Sequence, residues 1–226
     1  MERKDFLRQG GPCFYFDTEL FAPTTDSFAL GWFAAPKRGE RVCDLGSGTG
    51  LLGTLLLARE PSLTLFCVEQ NAAANALAEK GFAENGWAER VTLRTGDLRE
   101  NAALPAAGSM DYVVSNPPYF PAGSGASAAR EEVGCTLADV CAAAARVLRW
   151  GGRFALVHRP ERLSDLFCTL RAHGLEPKRL RFVASSAENA PSLALVEARR
   201  GGKAGLSVEP MLFIGSADWD EVYFRT

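Results

Sequence analysis

Between Arg41 and His173 the chain alternates short apolar runs with longer amphipathic ones, and few folds satisfy such a pattern. The apolar runs at residues 41–45, 63–69, 91–95, 111–115 and 153–158 read as buried strands. Residues 51–59, 71–85, 136–148 and 160–173 read as helices. Pro61 stops the first helix, Gly86 caps the second, and Thr136 with Asp139 starts the third. Strands alternating with helices predict a parallel α/β sheet covered on both faces. Two more strands, at 178–184 and 193–198, are separated only by Ser185–Ser192. That spacing is too short for a parallel crossover, so they should form an antiparallel hairpin. Residues 120–129, rich in Gly, Ser and Ala, read as the most mobile loop.

Composition narrows the setting. The net charge is −2 and the pI about 5.8, which excludes a broad basic surface coating nucleic acid. The charged start Met1–Asp5 leads into no apolar signal segment, and no run is long enough to span a membrane. The expected location is cytoplasmic. The six cysteines form no CxxC pair and read as reduced core residues. With two histidines, no metal site is expected, and His158 and His173 read as structural.

Gly46, Gly48 and Gly50 follow the first strand directly. Glycines there let the backbone turn sharply and approach a ligand. The G-x-G-x-G spacing differs from the dinucleotide fingerprint, and a glycine turn can serve strand–helix packing alone. Acidic residues sharpen the reading. Asp44 ends the first strand and Glu69 the second, while Asp97 follows the third. All three sit at strand carboxyl ends, where open α/β sheets bind ligands. Glu69 is placed for a ribose diol and Asp97 for an adenine amino group.

Ser115-Asn116-Pro117-Pro118-Tyr119-Phe120 follows the fourth strand. Two prolines fix φ and remove backbone donors, leaving carbonyls to accept. The Asn116 side-chain oxygen beside the Pro117 carbonyl makes an acceptor pair suited to a planar NH₂ group. Tyr119, and next to it Phe120, offers a flat face for a planar substrate.

The segment Asp44–Gly50, with Glu69 and Gly96-Asp97-Leu98, resembles the cofactor site of class I S-adenosylmethionine-dependent methyltransferases. The resemblance implies a Rossmann-like seven-stranded sheet, mostly parallel with an antiparallel C-terminal hairpin. It implies S-adenosyl-L-methionine held by Asp44, Gly46, Gly48, Gly50, Glu69, Asp97, Leu98 and Asn116. Asn116, Pro117, Pro118 and Tyr119 then resemble the catalytic motif of enzymes that methylate exocyclic or amide nitrogen.

From about Thr25 onward the chain is similar to the bacterial tRNA-Val (adenine-N6)-methyltransferase family. Thr25-Asp26-Ser27, with Asp26 18 residues before Asp44, resembles its Asp-containing segment that closes over the cofactor. Cys135-Thr136-Leu137 and residues 157–163, 175–180 and 201–203 resemble its later segments. Where the family has Arg-His-Glu, this chain has Arg130-Glu131-Glu132. The implied organisation is a single domain, with an N-terminal segment, 1–35, closing over the cofactor site of a methyltransferase domain, 36–226. The implied activity is methyl transfer to the N6 amine of an adenine in tRNA, by a monomer or homodimer. A protein glutamine or small-molecule N-methyltransferase and a catalytically silent cofactor-binding module are the alternatives. Lys178, Arg179, Arg181, Arg199, Arg200 and Lys203 cluster on the predicted hairpin and its exit, and are the candidate RNA contacts.

Overall fold

The computed structural model describes residues 1–20, 22–117 and 135–224. Pro118, Tyr119, Phe120, the 120–129 loop and Arg130-Glu131-Glu132 lie outside the described residues.

An antiparallel hairpin, β1 (Glu2–Phe6) and β2 (Cys13–Asp17), precedes helix α1 (Thr25–Phe33). The expected alternation follows: β3 (Arg41–Leu45), α2 (Leu51–Arg59), β4 (Thr64–Glu69), α3 (Ala72–Glu84), β5 (Val91–Thr95) and β6 (Met110–Ser115). After the undescribed segment come α4 (Leu137–Val147), β7 (Leu148–His158), α5 (Leu163–Ala172), β8 (Leu175–Ala184) and β9 (Leu193–Arg200). The chain ends in β10 (Ser207–Val208), β11 (Leu212–Phe213) and α6 (Ala217–Val222).

The sheet order is β10-β8-β9-β7-β6-β3-β4-β5. β5, β4, β3, β6 and β7 are parallel, and β9 is antiparallel to both β7 and β8. These are the seven strands expected, with their hairpin. Among the described residues two more raise the count to nine, because β10 and β11 both run along the outer edge of β8. Each has only two residues, and Pro210 between them cannot donate to a ladder. They cover an otherwise open sheet edge.

The pleat sorts side chains into two cores. Val42, Tyr112, Val114 and Val157 face α1, α2 and α6. Cys43, Val113, Phe154 and Leu156 face α4 and α5. Local chemistry sets the helix starts. Asn71 accepts from the Ala73 and Ala74 N–H groups (3.0 and 3.1 Å), and Thr136 with Asp139 forms a capping box. β7 begins five residues before the expected Arg153, because a bulge carrying Gly151 (φ +77°) lets Leu148 pair ahead of it.

The β1–β2 hairpin was invisible in the sequence, since all of β1 is exposed and shows no alternation. Tertiary contacts hold it on α3. The Asn85 amide bonds both the N–H and C=O of Cys13 (2.9 and 2.8 Å), and Glu84 accepts from Tyr15 and Lys4. Leu7 and Phe14 join the core with Phe28 and Leu30, so the N-terminal segment packs as part of the same body.

Gly50 caps α2 at φ +78°, and a Cβ there would stand 2.9 Å from Ala78 and 3.0 Å from Phe82. Gly50→Ala therefore combines left-handed strain with overpacking and is expected to cost about 2–4 kcal/mol. A thermal melt checks this; a melting point within 2 °C of the parent, roughly half a kcal/mol, would contradict it.

Candidate active site

The carboxyl ends of β3, β4, β5 and β6 converge. The Gly46 and Ser47 N–H groups both donate to the Val68 carbonyl (2.9 and 3.1 Å), folding the glycine loop across the end of β4. Gly46, Gly48 and Gly50 all have positive φ, and the space beside Gly46 where a Cβ would lie is open. Glu69 is buried, and both its oxygens are engaged. Gly48 N–H donates to Oε2 and Asn71 N–H to Oε1, each at 2.8 Å. A carboxylate so held has a lone pair left on each oxygen.

Asp44 is only 1% exposed. Burial, and secondly the charge of Glu69, push its carboxyl up to about 8. Its Oδ2 and the neighbouring Ser47 Oγ are buried without a hydrogen-bond partner. Unpartnered buried oxygens next to a second acid suit a ligand carrying positive charge and N–H donors.

On the next strand, Gly96 N–H donates to the Glu69 carbonyl (3.0 Å). Asp97 accepts the Arg99 N–H (2.9 Å) and pairs with the Arg99 guanidinium, a hydrogen bond that lowers its pKa. Leu98 packs against the second core. At the end of β6 the Ser115 hydroxyl donates to the Leu45 carbonyl (2.7 Å). Asn116 follows directly, and its Nδ2 donates to the Ser27 hydroxyl on α1 (3.0 Å). Asp26 stands beside Ser27 in the first turn of α1. Pro117 is buried.

Asp26, Asp44, Gly46, Gly48, Gly50, Glu69, Asp97, Leu98 and Asn116 thus surround one end of the sheet. Of the basic candidates, Arg199 and Arg200 stand away from this end. Arg199 pairs in register with Arg153, and Arg200 with Leu175, at the far end of β7 and β8. Arg199 donates to the Gly151 carbonyl, Arg200 to that of Leu148, and Lys178 to that of Lys203. Arg179 binds Glu197 (3.3 Å) and Glu209 (2.7 Å), its guanidinium 4.4 Å above the Phe33 ring. Arg181 reaches Glu209 and Asp218 and lies 4.5 Å above Trp32. Arg179 and Arg181 thus fasten α1 and the C-terminal stretch to the sheet, while Arg199 and Arg200 tie β9 to the start of β7.

His158 is buried and held near pKa 4 by burial and Arg162, and its Nδ1 accepts the Arg159 N–H (2.9 Å). Cys13, Cys43, Cys67 and Cys141 are free and buried, while Cys168 is exposed. Among the described residues no group of side chains forms a metal site, and no helix is long and apolar enough to cross a membrane. Sequence reasoning missed Ser27 and Ser47. Ser47 lies inside the loop that drew attention, and Ser27 lies in the Thr25-Asp26-Ser27 segment, but nothing local marks its contact with Asn116.

A family model described as the methyltransferase small domain matches residues 28–168. The chain belongs to this family. Methyltransferase small-domain relatives include the tRNA1(Val) (adenine(37)-N6)-methyltransferase of Aeromonas hydrophila, 34% identical over 150 residues. That match spans 64% of this chain and 62% of the relative, less than two thirds of its length. The enzyme of the same name from Cronobacter sakazakii is 34% identical over 176 residues, 75% of this chain and 70% of the relative. Among solved structures, a predicted O-methyltransferase from Agrobacterium tumefaciens superposes with TM-score 0.74 at 19% identity, covering 88% of this chain and 96% of that one. Geranyl diphosphate C-methyltransferase from Streptomyces coelicolor, solved with S-adenosyl-L-homocysteine, gives 0.59 at 13% identity over 76% and 79%. At such identities the likeness is one of fold, and it is the class I methyltransferase fold.

Proposed function

We propose that this chain is an S-adenosyl-L-methionine-dependent methyltransferase acting on the exocyclic N6 amine of an adenine in tRNA. One observation carries the reading. Asn116 sits at the end of β6 with its amide nitrogen committed to Ser27, which leaves its oxygen to accept from a substrate. The relatives' names supply the choice of adenine in tRNA.

The residues fit the cofactor. Asp44 Oδ2 and Ser47 Oγ, both buried and unpartnered, suit its ammonium group. The glycine loop leaves open space at Gly46. Glu69 retains one lone pair per oxygen for a ribose diol, with Leu98 and Asp97 bordering the adenine and Asp26 covering from α1. When bound, the cofactor supplies a methyl group already activated on a sulfonium.

The chain's own residues then act by position and electrostatics. Asn116 Oδ1 and the Pro117 carbonyl accept the two hydrogens of the amine. Holding both draws the nitrogen lone pair out of conjugation and aims it at the methyl; as the N–C bond formed, the methyl–sulfur bond would break with its electron pair left on sulfur, and the amine's surplus proton would pass to solvent. Tyr119, by its place in the motif, stacks on the base, worth roughly 1–3 kcal/mol. The target base has to leave its stack, which costs least in a loop.

Labelled-methyl transfer to tRNA lacking its modifications, followed by nucleoside mass spectrometry, is expected to give N6-methyladenosine. Label in protein, or in no fraction, would overturn the reading.

A further inference from the structure

Asn116 carries the chemistry proposed above, yet its side chain has two ends of nearly equal shape and opposite polarity. Only the oxygen end can accept from an amine; the NH₂ end would repel it. Something must therefore hold the amide the right way round.

The described residues show one group at the amide nitrogen, the Ser27 hydroxyl at 3.0 Å. It comes from 89 residues away in sequence, just before the residues that the family model matches, 28–168. Both ends of this contact are firmly seated. On the α1 side, Ala29 and Leu30 are fully buried, and Phe28 stacks on Tyr223 with centroids 4.5 Å apart. Gly31 lies so close to α2 that a Cβ would meet Leu55 at 2.9 Å. On the other side, Ser115 locks the end of β6 to β3, and the buried Pro117 restricts the backbone of Asn116 just before it.

From this geometry we infer that Ser27 is the positioning residue for Asn116: by accepting from Nδ2, it turns the amide oxygen toward the substrate amine. The inference rests on the N-methylation reading. It also gives the N-terminal segment a task in transfer itself, beyond covering the cofactor.

Three variants test it. Ser27→Ala removes the acceptor and frees the amide to rotate, so kcat should fall about tenfold, the scale of one neutral hydrogen bond. Cofactor affinity and melting temperature should stay at parental values. Ser27→Thr keeps a hydroxyl and should restore kcat. Ser27→Asp offers only acceptors at that place and should likewise retain activity.

A second readout needs no substrate. The side-chain NH₂ resonances of Asn116, assigned by their absence in Asn116→Ala, should shift and sharpen toward free exchange in Ser27→Ala but not in Ser27→Thr. Failure of the adenine reading would leave that signal intact, so the two failures are distinguishable. Ser27→Ala with kcat within twofold of the parent, or with unchanged Asn116 NH₂ resonances, would overturn the inference.

Discussion

Asn116→Ala is expected to lower the methyl-transfer rate by at least about a hundredfold while cofactor affinity changes little. The size follows from the loss of a preorganised group aimed at the reacting centre, which typically costs 10²–10³ in kcat. Selectivity follows from the structure. Asn116 leaves the sheet at the end of β6 and bonds to α1 through Ser27. The glycine loop, in contrast, bonds to β4 through Val68 and Glu69. Truncating Asn116 therefore leaves the cofactor residues seated. Single-turnover transfer measured beside calorimetric cofactor binding separates the two effects. A near-normal transfer rate in Asn116→Ala would end the proposed mechanism. Equal losses in rate and cofactor affinity would instead mean that Asn116 serves chiefly to hold the cofactor.

The second large effect concerns Asp44 and pH. Its carboxyl is raised from 3.8 to about 8, first by burial and then by the charge of Glu69. The Cys43 and Cys67 thiols also lie close, both themselves pushed well above their usual range by burial. In the folded, unliganded protein Asp44 therefore keeps its proton at neutral pH, whereas the unfolded chain loses it near pH 4. Between those values the folded state binds more protons, so its stability falls as pH rises, by at most about 1.4 kcal/mol per unit. Above about 8 the decline stops.

A cationic ligand beside Asp44 reverses the preference and releases that proton. Cofactor affinity is accordingly expected to rise with pH, up to about tenfold per unit, and to level off near pH 8. Calorimetry at pH 7 in two buffers of different ionisation enthalpy should detect release of close to one proton. Asp44→Asn should bind far more weakly and without this pH dependence. Binding that is flat from pH 6 to 8 in the parent would show that Asp44 does not face the cofactor's charge.

Much of the fold was legible because its elements are local. The spacing of apolar runs marked seven strands within a few residues, and Thr136 with Asp139 announced α4 through side-chain capping that needs no distant partner. Asp44, Gly46, Gly48, Gly50 and Glu69 could be located because strand ends and glycine turns mark where an open parallel sheet binds ligands. The β1–β2 hairpin and the edge strands β10 and β11 could not, since they are held by tertiary pairing rather than by pattern.

The basic residues show the limit most clearly. In sequence, Arg179, Arg181, Arg199 and Arg200 form one charged cluster. In the folded chain, Arg179 and Arg181 lie against Phe33 and Trp32 with carboxylate partners, while Arg199 and Arg200 stand at the opposite end of β9 from the site. A charge run records how many cations there are, not where the fold carries each of them.

The sequence by itself determined the sheet, the acidic and glycine-rich end of it, and the Asn-Pro-Pro segment, because each follows from neighbours along the chain. Only the tertiary structure decided that Ser27 meets Asn116 and that Asp44 stands buried beside Glu69 with an oxygen unsatisfied. Hydrogen bonding and desolvation depend on what is near in space, and the contact with Ser27 spans 89 residues of chain.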